Sequence, residues 1–137
     1  MTKSKYSASC LCGQVNFTLD EDPLFMCNCH CKDCQRWTGS GYAPVNVFPN
    51  ATLKSEGKIR FFDKASDNGN TISRGFCPHC GGNVMAKSDG FPDYVMVAAG
   101  VLDDSSRYKP AMDIYTENTL SWDIMHKETK KFPREPG

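Results

Sequence analysis

Cys27-Asn28-Cys29-His30-Cys31-Lys32-Asp33-Cys34 places four cysteines within eight residues. Thiols this crowded suit a shared metal ion better than separate cross-links. In an extended segment Cys27, Cys29 and Cys31 have the same parity and can point to one side; Cys34 joins them if the chain turns after Cys31. Four ligands would close the site and make it structural. Three would leave a coordination position for water or substrate, as a catalytic zinc requires. Spacing alone leaves both arrangements open. Thiolate ligands also make a weaker Lewis acid than imidazoles do, which suits activation of a sulfur nucleophile better than production of hydroxide.

The remaining cysteines stand in two pairs, Cys10-Leu11-Cys12-Gly13 and Cys77-Pro78-His79-Cys80-Gly81. Each pair puts two sulfurs on one side of a short segment, and the glycine that follows lets backbone amides turn towards them. One pair is half a tetrahedron. Cys10, Cys12, Cys77 and Cys80 together make a closed four-thiolate site whose natural role is structural, provided the chain between them folds back on itself. A redox role for Cys77 and Cys80 would call for a thioredoxin-like βαβ pattern, and the flanking sequence has none. The three histidines are read as non-ligands. His30 lies between two cysteines and faces away from them in extended chain, His79 sits on the solvent side of its turn, and His126 belongs to a polar tail. Asp33 is expected to hydrogen-bond its own loop, the other reading being a base. Trp122 is expected to cap the core, although it would also suit a ligand wall.

Composition narrows the class. The chain has 137 residues with 39% hydrophobic content, which is one domain with enough apolar side chains for a core. Lys plus Arg and Asp plus Glu both number 16, so a nucleic-acid or membrane-surface protein, which needs excess positive charge, is not expected. Met1 to Gln14 is polar and the apolar run Tyr94 to Leu102 is too short to span a bilayer, so a cytoplasmic protein with reduced thiols is expected. Seven bound thiolates with two zinc ions would move the formal charge from zero to about −3, or about −4 if Cys27 also binds.

The periodicity is that of strands. Val15, Phe17 and Leu19 alternate with polar residues. Leu24 to Asn28, Tyr42 to Phe48, Asn83 to Lys87, Tyr94 to Val101 and Ala111 to Thr116 are further β-like runs. Lys58 to Asp63 and Thr71 to Phe76 read as a hairpin around the polar loop Lys64 to Asn70. Short helical stretches are expected at Lys32 to Trp37 and Asp123 to Lys131, and the basic tail as a solvated end. The sum is a mainly antiparallel β domain of about eight short strands, stapled by metal.

These motifs in this order resemble the family of the glutathione-dependent formaldehyde-activating enzyme, which includes centromere protein V. The resemblance rests on Cys10-x-Cys12-Gly13, on Cys29-His30-Cys31-x-x-Cys34 with Thr38-Gly39-Ser40, and on Phe76-Cys77-x-x-Cys80-Gly81. Gly100-Val101-Leu102-Asp103 and Asp113-Ile114-Tyr115 leading to Ser121-Trp122 extend it over a core of about residues 7–132 in a single domain spanning 1–137. It implies a zinc-stapled antiparallel β-tent with two zinc ions, a structural one on Cys10, Cys12, Cys77 and Cys80 and a catalytic one on Cys29, Cys31 and Cys34. It also implies a carbon–sulfur lyase activity that joins formaldehyde to glutathione as S-(hydroxymethyl)glutathione. Lys32, Arg36 and Trp122 are then candidates for recognising an anionic, peptide-like thiol. Three positions depart from the family pattern: Gln35 stands where Arg is common, Gly82 where Ser is usual, and Cys27 is an extra potential ligand. The competing expectation is a non-catalytic zinc module for partner binding or redox and metal sensing, in which Cys27 closes the second site.

Overall fold

Phe17 and Leu19 are buried while Asn16 is exposed, the pattern of a strand with one face on a core. That strand, β2 (Asn16–Leu19), pairs antiparallel with β1 (Tyr6–Ser9) on one side and β5 (Lys54–Glu56) on the other, giving a small three-stranded sheet. The structure, a computed structural model, describes residues 5–136, so the first four residues and the last of the expected 1–137 domain lie outside the described residues.

A second sheet of eight strands makes most of the molecule. Its antiparallel part runs, in spatial order, through β3 (Phe25–Cys29), β4 (Ala43–Pro49), β9 (Tyr94–Ala98), β8 (Asn83–Ser88), β7 (Thr71–Phe76) and β6 (Arg60–Ala65). The hairpin expected around residues 64–70 is the β6–β7 pair, in register from Arg60 opposite Phe76 to Ala65 opposite Thr71. On the far side, β10 (Met112–Ile114) lies parallel to β3, and β11 (Lys130–Lys131) lies parallel to β10. The fold is mainly β in one small domain, with eleven strands among the described residues rather than about eight.

Two local expectations are corrected. The run Tyr94 to Val101 stays extended only to Ala98 and then forms a 3-10 turn over Ala99–Val101. Asp123 to Lys131 is not helical: it is a chain of turns ending in β11. Side chains of this segment are engaged elsewhere, Asp123 with His30 and Thr129 with Asp113, so tertiary contacts override a weak local preference.

The two faces of the large sheet carry different cores. Phe48 of β4 and Val95 and Val97 of β9 meet Tyr6, Ala8, Phe17 and Leu19 of the small sheet, with Cys10 and Cys77 in the same cluster. Ala43, Val45 and Val47 alternate with Phe48's face and pack on the opposite side with Met96, Met112, Cys27 and Cys29. The one α-helix among the described residues, α1 (Lys32–Thr38), covers this second side through Cys34 and Trp37. Each core therefore carries one cysteine cluster.

Candidate metal centres

Cys10 and Cys12 sit in the tight connection between β1 and β2. The Cys10 N–H donates to the Val15 carbonyl at 2.9 Å, and the Gly13 N–H to the Cys10 carbonyl at 3.2 Å. Cys77 to Gly82 makes the matching turn between β7 and β8, with the Gly81 N–H on the Cys77 carbonyl at 2.8 Å. Gly13 and Gly81 hold φ of +83° and +75°, values an L side chain seldom adopts. Amides then aim at sulfur: Val15 N–H at Cys10 Sγ (3.3 Å) and Gly82 N–H at Cys80 Sγ (3.4 Å).

All four sulfurs fall within 4.8 Å of one another, with Cys10 and Cys12 at 3.6 Å and Cys12 and Cys77 at 3.8 Å. A regular tetrahedron with metal–sulfur bonds of about 2.3 Å has sulfur edges of about 3.8 Å. The cage thus has the dimensions of a four-thiolate zinc site. Burial opposes ionisation of Cys10, yet the Val15 N–H and the neighbouring thiols bring it down to about 6. The eight cysteines are all free thiols.

The second cluster is built by the end of a strand and the start of a helix. Cys29 closes β3, the chain turns at His30, and Cys31 is the N-cap of α1 with extended backbone. Its Sγ accepts the Cys34 N–H at 3.3 Å, and Cys34 follows in the first helical turn. The sulfurs of Cys29, Cys31 and Cys34 lie within 4.8 Å of one another. Three thiols this close cannot all ionise unaided. Hydrogen bonds from Cys29 and Cys34 hold Cys31 low, aided by the Cys34 N–H and the charge of Arg74, while the same contacts push Cys29 and Cys34 up. A dication among the three sulfurs would relieve that conflict, so the donor set fits a thiolate-preferring metal such as zinc.

Cys27 is outside this set. It points to the same side of β3 as Cys29, but its sulfur does not fall within the 4.8 Å mutual spacing that groups the other three. It is buried among Val45, Ala43 and Cys34, and burial, then Cys34 and Asp113, push its thiol up to about 12.

Of the other residues singled out in the sequence, Lys32 and Arg36 are exposed one turn apart on α1, and neither enters a hydrogen bond or ion pair among the described residues. Trp122 does not cap the core as expected: it is 65% exposed and rests on Gly41, where a Cβ would meet its ring at 3.1 Å. Asp33 does not bond its own loop as expected: it pairs with Lys64 of β6 at 2.5 Å and so ties α1 to the β6–β7 hairpin. His79 and His126 are exposed, and His30 is buried on the face away from the thiols.

Sequence reasoning missed Arg74, Trp37 and Tyr115. Arg74 sits with its guanidinium 5.8 Å from the ring of Trp37, and its charge acts on Cys31. Trp37 and Tyr115 pack on the second cluster. Tyr115 has φ of +56°, unusual outside glycine. Tyr115 stands in a quoted motif, but nothing local assigns any of the three to this site, because β7, α1 and the segment after β10 meet only through the fold.

The sequence model of a family described as "Glutathione-dependent formaldehyde-activating enzyme" matches residues 5–118. Among solved structures, the crystal structure of a Rhodobacter sphaeroides protein superposes with a TM-score of 0.56 at 18% identity, covering 71% of this chain and 87% of that one. At that identity the likeness is one of fold. No curated protein matches the sequence.

Proposed function

The chain belongs to the family of the glutathione-dependent formaldehyde-activating enzyme, and on that premise we propose that it is a zinc-dependent carbon–sulfur lyase. Its substrates are a small aldehyde, formaldehyde in the first instance, and a thiol such as glutathione. The supporting observation is the grouping of three thiols, with Cys27 two residues outside it. Zinc bound by Cys29, Cys31 and Cys34 would supply a Lewis-acid position open to one further ligand.

The reaction needs no redox partner. A carbon–sulfur bond forms as the carbonyl π bond breaks, and the thiol proton ends on the carbonyl oxygen. The protein's own part is binding and charge control. Arg74, already placed to favour negative charge at Cys31, steadies charge that develops on sulfur or oxygen beside it. Trp37 and Tyr115 pack the cluster and keep bulk water from its inner side. Lys32 and Arg36 receive the carboxylates of a peptide-like thiol from the exposed side of α1, and Trp122 forms a wall for it. Holding both reactants against the cluster lowers the entropic cost of joining them.

In this reading Cys10, Cys12, Cys77 and Cys80 hold a second, structural zinc, giving two per chain. The protein works in the cytoplasm, where its thiols stay reduced, and it engages neither nucleic acid nor membrane. No helix among the described residues is long and apolar enough to cross a membrane.

The test is to follow adduct formation from formaldehyde and glutathione with the purified zinc protein. The expected result is a rate above the spontaneous one that falls to it in Cys31→Ser, together with loss of one of two zinc ions. A Cys31→Ser protein that has lost that zinc and keeps the full rate would sink the mechanism.

A further inference from the structure

Parity on β3 sends Cys27 and Cys29 to one face and Asn28 to the other, and His30, the next residue, shares the side of Asn28. It is 1% exposed. Its Nε2 lies 2.7 Å from Asp113 Oδ1, and its Nδ1 lies 3.0 Å from Asp123 Oδ2, an ion-pair contact that is off the ideal hydrogen-bond direction. Tyr42 packs on the ring at 5.4 Å between centroids. Asp113 is itself wholly buried and braced on its other oxygen by the Thr129 hydroxyl, with Lys131 Nζ at 3.4 Å.

The peptide groups of His30 are held as firmly as its ring. Its N–H donates to the Ile114 carbonyl at 3.0 Å. Its carbonyl accepts from Gln35 Nε2 at 2.9 Å, and the same amide reaches the Asn118 carbonyl at 3.0 Å. Gly41 leaves the space that this arrangement needs, since a Cβ there would stand 3.0 Å from the Asp123 carboxylate. The ring of the residue between Cys29 and Cys31 and its N–H are thereby held by segments that contribute no thiol, while its carbonyl is held by Gln35 of α1.

Burying two carboxylates and an imidazole gains little stability over apolar packing, so the network's value lies in geometry. A three-thiolate set has one fewer bond to its metal than the closed cage and depends more on being pre-formed. The cage of Cys10, Cys12, Cys77 and Cys80 needs no such clamp, because hairpin turns and positive-φ glycines hold it.

The geometry points to His30 as a positioning residue that keeps Cys29 and Cys31 in metal-binding register through Asp113 and Asp123. The inference rests on the metal reading of the three thiols. It makes the segment from β10 to β11, which carries no cysteine, the determinant of metal retention at one centre and not at the other.

The experiment uses the zinc-loaded full chain and follows zinc release to an excess of chromophoric chelator. In the wild type, two ions leave in two phases. In His30→Ala one phase accelerates about tenfold or more, in the range seen when groups supporting metal ligands are removed, while the other keeps its rate. His30→Gln, which can still donate to Asp113, restores part of the difference. Asp123→Ala removes the other carboxylate against the ring, leaves the His30–Asp113 pair and both hydrophobic clusters in place, and shifts the same phase if His30→Ala does not fold. Unchanged release of both ions in the folded variants overturns the inference, as does equal acceleration of both phases, the mark of a merely structural role. A wild-type protein that binds only one zinc overturns the metal reading itself and the inference with it.

Discussion

Cys27 and Cys29 lie on one face of one strand, yet only Cys29 belongs to the group of three sulfurs within 4.8 Å of one another. Burial makes a prediction at this scale. Once the metals are stripped under native conditions, Cys27, at 3% exposure, should be alkylated after every other cysteine except Cys77, at 1%, as counted by mass spectrometry. Modification at the rate of exposed Cys12 would contradict its placement. A second residue test concerns the turn that carries Cys12. A Cβ on Gly57 would stand 2.1 Å from the Gln14 carbonyl oxygen, and φ there is +93°. Gly57→Ala should destabilise by more than about 2 kcal/mol, since backbone must move as well as strain. Gly13→Ala, with open space around it, should lose only the conformational cost of about 1–2 kcal/mol. Denaturant melts of the two variants give the comparison, and equal losses would contradict it.

At the level of elements, what could be read from the sequence was set locally. The alternation of Val15, Phe17 and Leu19, the paired runs flanking residues 66–70 and the short helix after Cys31 each show in neighbouring residues. The parallel additions of β10 to β3 and β11 to β10 do not, because they join segments more than 80 and 18 residues apart through a buried aspartate. For the same reason Asp123 to Lys131 looked helical until its side chains were claimed by His30 and Asp113. Gln35, a departure from the family pattern, likewise gains its meaning from the His30 and Asn118 carbonyls. Thr129→Val tests the element contact: it keeps the shape and removes a buried donor to Asp113. The expected loss is about 1–3 kcal/mol in chemical denaturation, and a change of only a few tenths would show that the hydroxyl does not brace the carboxylate.

For the whole molecule, the cysteine motifs mark both centres in the sequence because their spacing is a local property, whereas the way each centre is supported depends on the fold. One cage is held by hairpin turns on the core shared by the two sheets, the other by a strand end and a helix start on the opposite face. Zinc on Cys29, Cys31 and Cys34 with one position open is what separates the proposed lyase from a closed zinc module. The most direct measurement is the ligand set of that zinc in crystals of the zinc-loaded protein. Three sulfurs and one light-atom ligand, displaced by the sulfur of added glutathione, are expected. A fourth protein sulfur from Cys27, with no exchangeable position, would contradict that expectation.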